Sequence, residues 1–259
     1  MRMMKKVLGT VTVLALSVSL LAGCGSTAVS PVSSTASTAA ESTTSSVVSE
    51  TTSAAADENA AAAAQLLNDL TGSYQELWPV ILADEYQQTW LDDCTALVGE
   101  ENAEAAFEKL SSMVTSDVYG EDAVEAYANG GGAYFCGFTN SLATLTFDGE
   151  TSTISGTDKD GNVLFSHTYH YIGMEPVHEL YEFESDDADS GEFTYFFLAP
   201  DTSAETYHIE FRYGSDAEAL SQYDAGEYAY WVASGISTDC DQTMIDNCIE
   251  LFCTENLAG

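Results

Sequence analysis

A short stretch of the chain, AETYHIEF at residues 204–211, carries side chains that could bind a metal ion. Thr206, His208 and Glu210 occupy alternate positions, and alternate side chains of a β-strand share one face. His208 would offer an imidazole nitrogen and Glu210 a carboxylate oxygen, and both are ligands of divalent metals. Alternation alone favours a polar row that faces water, with the intervening apolar residues toward the core. If the strand closes a barrel, the polar row could instead face the interior.

The other three histidines give weaker evidence of a site. His167 and His170 are three residues apart, so on a strand they point to opposite faces and cannot both ligate one ion. His178 begins a further strand pattern, with Glu179 and Glu182 nearby. Each of these histidines alone is predicted to be a surface or satisfied residue, because one imidazole does not make a metal site.

Motifs for catalysis are missing from the sequence. It contains no Gly-x-Ser-x-Gly, and its carboxylates are too numerous for any one pair to stand out. The triple glycine at residues 130–132 leads into a strand pattern and not into a helix, so it does not form a phosphate cradle. The sequence therefore predicts a binding protein and not an enzyme.

The chain is strongly acidic, with 42 Asp and Glu against six Lys and Arg and a formal net charge of −36. A surface with this charge repels nucleic acid phosphates, which argues against a nucleic acid partner. It also attracts cations, although this attraction is not specific for any one of them.

The N-terminus, residues 1–23, has the pattern of a secretory signal, in which Arg2, Lys5 and Lys6 precede an apolar run. The run ends in Leu-Ala-Gly-Cys at residues 21–24, which resembles the lipobox of bacterial lipoproteins. This resemblance implies cleavage before Cys24 and a lipid anchor on it, at the extracytoplasmic face of the cell membrane. The alternatives are an uncleaved transmembrane anchor and a plain signal in which Cys24 is incidental.

Residues 24–60 are rich in Ser, Thr and Ala and have no aromatic residue, which predicts a disordered tether. Residues 61–259 are long enough for one domain with a sizeable core. Beyond Cys24 the number of cysteines is odd, so at least one is predicted to be unpaired or to pair between molecules. No Cys-x-x-Cys occurs, which favours buried cysteines over a zinc–thiolate site. They are Cys94, Cys136, Cys240, Cys248 and Cys253.

The elements that would position His208 follow from the hydrophobic pattern. Apolar residues at helical spacing over Leu66–Ile81 predict two helices or one bent helix, and further helices are predicted at 101–113, 121–127 and about 238–252. Between them lie about eight short runs of aromatic and β-branched residues separated by turns such as Asp-Gly and Ser-Gly, beginning with AYFCGF at 133–138. This order predicts a mainly β protein, an antiparallel closed barrel or a sandwich with flanking helices.

Several motifs in this domain resemble the ZinT/YodA family. LNDLTGSYQELWPVI, residues 67–81, is similar to that family's opening helix, with identities at Leu67, Asp69, Gly72, Gln75 and Pro79. YHYIG, VHELYEFE, DSGEFTYFFL and AETYHIEFRYGSD follow in the order of the corresponding family motifs. The resemblance extends from about Leu66 to the last helix.

The resemblance implies a lipocalin-like (calycin) barrel that binds zinc, and in some members cadmium, as an accessory to zinc import. It further implies that the polar row of residues 206–210 faces the metal cavity. The family's three histidine ligands are not all present, because Thr206 stands at the first of them. The implied ligand set is therefore reduced to His208, Glu210 and Asp201, with His178 as an outside candidate.

The predicted function is that of a membrane-anchored extracytoplasmic metal-binding protein, with zinc as the ion. A zinc ABC transporter, or its binding protein, is the implied partner. The alternative is a calycin-type binder of a small organic ligand or of a protein, which has lost metal binding. A roomy apolar interior around Phe196 and Phe211 would favour this alternative.

Overall fold

The computed structural model describes residues 47–258. The predicted signal and Cys24 lie outside the described residues. Helix α1 spans Val47–Asp69, so it begins within the stretch predicted as a tether. Alanine, which is abundant there, has the highest helix propensity of all residues. None of the helices in the described part of the chain has the length and apolar character needed to cross a membrane.

Seven further helices follow α1, and two of them are single turns. The predictions at 101–113, 121–127 and 238–252 correspond to α4, α5 and α8, with bounds that differ by at most five residues. The helices are α2 (Leu77–Ile81), α3 (Gln87–Val98), α4 (Glu100–Val114), α5 (Glu121–Ala128), α6 (Ser203–Thr206), α7 (Ala217–Leu220) and α8 (Gln242–Leu257). Short 3-10 helices lie at Asp84–Tyr86 and Gly191–Phe193.

Eight antiparallel strands form a closed barrel in chain order, because β1 pairs with both β2 and β8. The predicted lipocalin-like barrel is thereby confirmed. The strands are β1 (Gly72–Glu76), β2 (Thr144–Asp148), β3 (Thr153–Thr157), β4 (Val163–Met174), β5 (Tyr181–Ser185), β6 (Tyr195–Leu198), β7 (Ile209–Gly214) and β8 (Ala233–Ser237).

The first strand is not the one that the sequence predicted. Residues 133–138 form only isolated bridges, from Phe135 to Thr115 and Trp231. The strand that closes the barrel is instead Gly72–Glu76, within the stretch predicted to be helical. Gly72 has a φ of 150°, which ends the helical path of α1, and the pairing of β1 with β2 and β8 then satisfies its backbone groups.

Aromatic rings fill the interior of the barrel. Phe196 and Tyr213 stack with ring centroids 5.4 Å apart, and Phe165 stacks on Phe193 at 3.9 Å. Phe196 and Phe211 are almost completely buried, and so are the other inward-facing residues of neighbouring strands. Helix α1 packs against β2 and β4 and adds leucines to the same core. The interior is thus closely packed and apolar.

A second core lies between helices α2, α3, α4 and α8 and the outer face of β8. Ile236 of β8 belongs to it, together with Trp90 and Cys94 of α3 and Ile249 of α8. The indole Nε1 of Trp90 donates a hydrogen bond to the carbonyl of Ile81 at 2.7 Å, which joins α3 to the end of α2. These contacts hold α8 beside the barrel.

Arg212 of β7 is completely buried, and its two terminal guanidinium nitrogens donate to backbone carbonyls, while its buried Nε has no hydrogen-bond partner. It donates to the carbonyls of Leu220, Gln222 and Tyr228, and it lies 4.2 Å over the ring of Tyr223. Arg212 therefore fastens the segment that follows α7 to the outer face of the barrel.

We expect Arg212→Ala to lower the free energy of unfolding by roughly 3 kcal/mol or more, because three buried carbonyls lose a charged donor. Urea denaturation measures this loss. Lys109→Ala, which removes an exposed cation, is the matched control and should cost less than about 0.5 kcal/mol. Equal stability of the two variants would contradict this role of Arg212.

Candidate functional site

The segment before β7 turns sharply and sets the position of His208. Thr202 precedes the single-turn helix α6, and its backbone N–H donates to the Glu205 carboxylate at 3.3 Å. Tyr207 follows with a left-handed φ of 66°. Thr206 therefore lies in α6 and not in the strand, so the prediction of a polar row that begins at Thr206 is wrong. Its hydroxyl donates to the carbonyl of His208 at 2.8 Å and thereby braces the turn.

The polar side of β7 faces away from the barrel interior. Ile209, Phe211 and Tyr213 belong to the core that fills the barrel. The imidazole of His208 lies instead against α8, with its ring centroid 5.0 Å from that of Phe252. The orientation implied by the family resemblance, with the polar row in the barrel cavity, is therefore wrong for this chain. Aromatic residues occupy the interior instead.

The two nitrogens of His208 have different surroundings. Nδ1 lies 2.7 Å from the carbonyl oxygen of Thr206, and since a carbonyl only accepts, Nδ1 must carry a proton and donate. Nε2 faces the carboxylate of Glu210, with Oε1 at 3.7 Å, which is too far for a hydrogen bond. His208 is only 7% exposed. The backbone thus keeps a proton on Nδ1, so Nε2, on the side of Glu210, is the nitrogen that gains or loses a proton.

Electrostatics link His208 to several other groups. Burial lowers the pKa of His208, but Cys248 and Glu210 raise it more, so that it lies well above the usual value for histidine. Burial and the charges of Glu205 and Glu210 raise the pKa of Asp201, while His208 opposes this increase. Asp201 and Glu210, both predicted as ligands, are therefore close enough to His208 to interact with it.

Two members of this cluster, on α8, were missed by the sequence prediction. Burial and the charges of Glu210 and Asp201 raise the pKa of Glu255, and His208 opposes this increase. The Sγ atom of Cys248 lies 4.0 Å from Nδ1 of His208. Cys248, Phe252 and Glu255 follow one another at spacings of four and three, so they share one face of the helix. That spacing was visible in the sequence, but the docking of this face on His208 was not.

His178 lies in a different group of contacts. Its ring centroid is 3.6 Å from that of Tyr223, and its Nδ1 is 3.4 Å from the buried carboxylate of Glu175 without forming a hydrogen bond. That carboxylate accepts from the backbone N–H of Val177 and of His178. Within the described residues, no hydrogen bond or ion pair joins His178 to the predicted ligands.

His167 and His170 each pair with a different aspartate. Nδ1 of His167 lies 2.8 Å from Asp187, and Nδ1 of His170 lies 2.8 Å from Asp186. Each imidazole ring thus pairs with its own aspartate.

Across residues 47–258, no group of three or more His, Cys, Asp and Glu side chains is arranged to hold a metal ion. The predicted residues come together only in part. His208 and Glu210 are in contact, Asp201 acts on both through its charge, and His178 lies elsewhere.

Two of the solved structures to which this chain is similar come from Streptococcus pneumoniae. The Zn(II)-bound ZinT-like domain of AdcA shares 15% sequence identity, with a TM-score of 0.45, over 71% of this chain and 89% of that one. Zn(II)-bound AdcA shares 14% identity, with a TM-score of 0.42, over 70% of this chain and 34% of its own length. No family model and no curated protein matches the sequence. The ZinT-type likeness that the motifs predict is found in the structural comparison as well.

The raised pKa of His208 predicts a pH dependence of stability. Because the folded-state pKa exceeds the unfolded value of about 6.5, the stabilisation is fully present below that pH and is lost as the pH rises through the folded-state value. We expect Glu210→Gln to lower the pKa of His208 and to shrink this loss. Histidine NMR titration and urea denaturation between about pH 6 and 9 measure both effects.

The control is Glu218→Gln, which neutralises an exposed glutamate on α7. It should leave the titration of His208 unchanged. An identical His208 titration in the wild type and in Glu210→Gln would show that the Glu210 carboxylate does not act on the imidazole.

Proposed function

We propose that this protein binds a divalent metal ion, with zinc as the ion, through His208 and Glu210. One observation carries the proposal: Nδ1 of His208 donates to a backbone carbonyl while Nε2 faces a carboxylate 3.7 Å away. Imidazoles that bind metals usually donate their other ring nitrogen to a carbonyl or carboxylate, which holds the ring in place. His208 has this arrangement, with Nδ1 on the carbonyl of Thr206.

The chemistry of the donors fits a weak site. An imidazole and a carboxylate are both zinc ligands, but tight zinc sites in proteins have three or four protein ligands. The negative charges of Asp201 and Glu255 near His208 would favour a cation at this place. Water molecules would complete the coordination. We infer reversible binding, with lower affinity than a site of three histidines has.

Weak, reversible binding suits a protein that delivers its metal ion to a partner. We propose that the protein is anchored at the extracytoplasmic face of the membrane by lipid on Cys24 and passes its ion to a zinc ABC transporter or its binding protein. The signal and lipobox pattern supports the location, and the family motifs support the partner. The formal charge of −36 would raise the local concentration of cations around the tethered domain.

The alternative, a small organic ligand, has one observation in its favour. A cavity of about 320 Å³ lies outside the barrel, where Glu76, Trp78 and Phe135 contribute to its mostly apolar lining. The buried Nε1 of Trp78 has no hydrogen-bond partner. The barrel interior around Phe196 and Phe211 is filled, so this cavity is where such a ligand would bind. It does not include His208, so His208 variants separate the two functions.

We expect the wild-type protein to bind about one equivalent of Zn²⁺ with micromolar affinity in equilibrium dialysis, and His208→Ala to lose this binding because its imidazole is the one nitrogen ligand. Glu210→Gln should weaken binding by roughly tenfold or more. His170→Ala, which removes an exposed histidine outside the cluster, is the matched control. Saturable binding that is unchanged in His208→Ala, or absent from the wild type, would refute the proposed site.

The anchor has its own test. We expect the wild-type protein, expressed in a bacterium that processes lipoproteins, to enter the detergent phase of a Triton X-114 partition. Cys24→Ala should move it to the aqueous phase or leave the signal uncleaved, because the acyl chains are lost. Cys240→Ala is the control and should partition like the wild type. Detergent-phase partition of a cleaved Cys24→Ala protein would contradict lipidation at this residue.

A further inference from the structure

Two buried cysteines from different helices face each other in the second core. The Sγ atoms of Cys94 on α3 and Cys253 on α8 are 3.8 Å apart, and both residues are 0% exposed. Both sulfurs are free thiols in this structure. No other pair of cysteines in the described part of the chain makes such a contact.

The geometry is close to that of a covalent cross-link. At 3.8 Å the two sulfurs are in van der Waals contact, whereas a disulfide has a bond of about 2.05 Å. Helices α3 and α8 are packed neighbours, so the side chains need only rotate toward each other and the helix axes shift slightly. The cross-link would join positions 159 residues apart, and long loops give disulfides their largest effect on the unfolded chain.

We propose that Cys94 and Cys253 form a disulfide in an oxidising medium, by exchange with a small organic disulfide. One protein thiolate attacks the external disulfide, which gives a mixed disulfide and releases one external thiol. The second protein thiolate then attacks the protein sulfur of the mixed disulfide and releases the other external thiol. Two protein thiols are thereby oxidised, one external disulfide is reduced, and two protons pass to the released thiols. This inference does not rest on metal binding.

The burial of the pair determines when the reaction takes place. Neither sulfur is accessible in the folded protein, and burial raises the pKa of both thiols, so few thiolates form there. We therefore place the exchange during folding, before α3 and α8 close over the sulfurs. Once formed, the bond is shielded from reductants by the same core.

The cross-link also bears on the surroundings of His208. Helix α8 carries Cys248 and Phe252, which contact the imidazole, and Cys253 is the next residue along. A disulfide to α3 would fix this part of α8 against the helix that packs beside it. The helix that covers the cluster would then be held covalently and not by packing alone.

The test is to refold the full chain in a mixture of oxidised and reduced glutathione, block free thiols with iodoacetamide in denaturant so that buried thiols are reached, and digest without reduction. Glu-C is the suitable protease, because the chain has 42 acidic residues and only six Lys and Arg. Mass spectrometry should show one linked pair of peptides that contain Cys94 and Cys253, with Cys136, Cys240 and Cys248 alkylated. Alkylation of Cys94 and Cys253, or their linkage to other cysteines, would overturn the proposal.

Thermal unfolding gives a second readout. Oxidised wild type should unfold roughly 5–10 °C above Cys253→Ala, and the difference should be much smaller after reduction. Cys240→Ala is the matched control and should keep the increase in unfolding temperature on oxidation.

Addition of glutathione disulfide to the already folded, reduced protein should give the linked peptides at least tenfold more slowly than refolding does. The peptide map of the wild type requires no variant to fold.

Discussion

The dense aromatic filling of the barrel is the constraint on which the rest of the structure depends. With Phe196, Phe211 and Tyr213 stacked inside, aromatic rings occupy the interior side of the barrel, and the charged side chains of β7 lie on its outer face. That face is buried too, which requires a second layer to cover it. Helix α8 covers His208, and the segment after α7 covers Arg212. The helical core, the position of α8 and the cluster around His208 all follow from this choice of face.

Both cationic side chains on this outer face, Arg212 and His208, donate to backbone carbonyls. Arg212 donates to carbonyls of residues 220, 222 and 228, and His208 donates to the carbonyl of Thr206. In so acidic a chain, carboxylates that face one another raise each other's pKa, as Asp201 and Glu255 show. Carbonyls supply acceptors without adding negative charge. The carboxylate of Glu210 is thereby left beside Nε2, on the other side of the ring.

The barrel was predictable because alternating apolar patterns and turn pairs are local signals in the sequence. The amphipathic helices α4, α5 and α8 were predictable for the same reason. The first strand was not, because Tyr74 lies in a run with helical spacing and joins the barrel only through pairing with distant strands. His208 and Glu210 were predicted from their alternate positions along the strand, and Asp201 from the resemblance to the family motifs. Glu255 and Cys248 were missed because the docking of α8 is a long-range contact. The left-handed Tyr207 has no signal in the sequence, since residues other than glycine seldom adopt that conformation.

The hydrogen bond from His208 to the Thr206 carbonyl has an evolutionary consequence. Since every residue type provides a main-chain carbonyl, the ring could keep its orientation while residues around it are replaced. Donors could then be lost or gained by single substitutions in the cluster without refolding of the turn. In such a scaffold, successive substitutions change the affinity for an ion while the position of the imidazole stays the same.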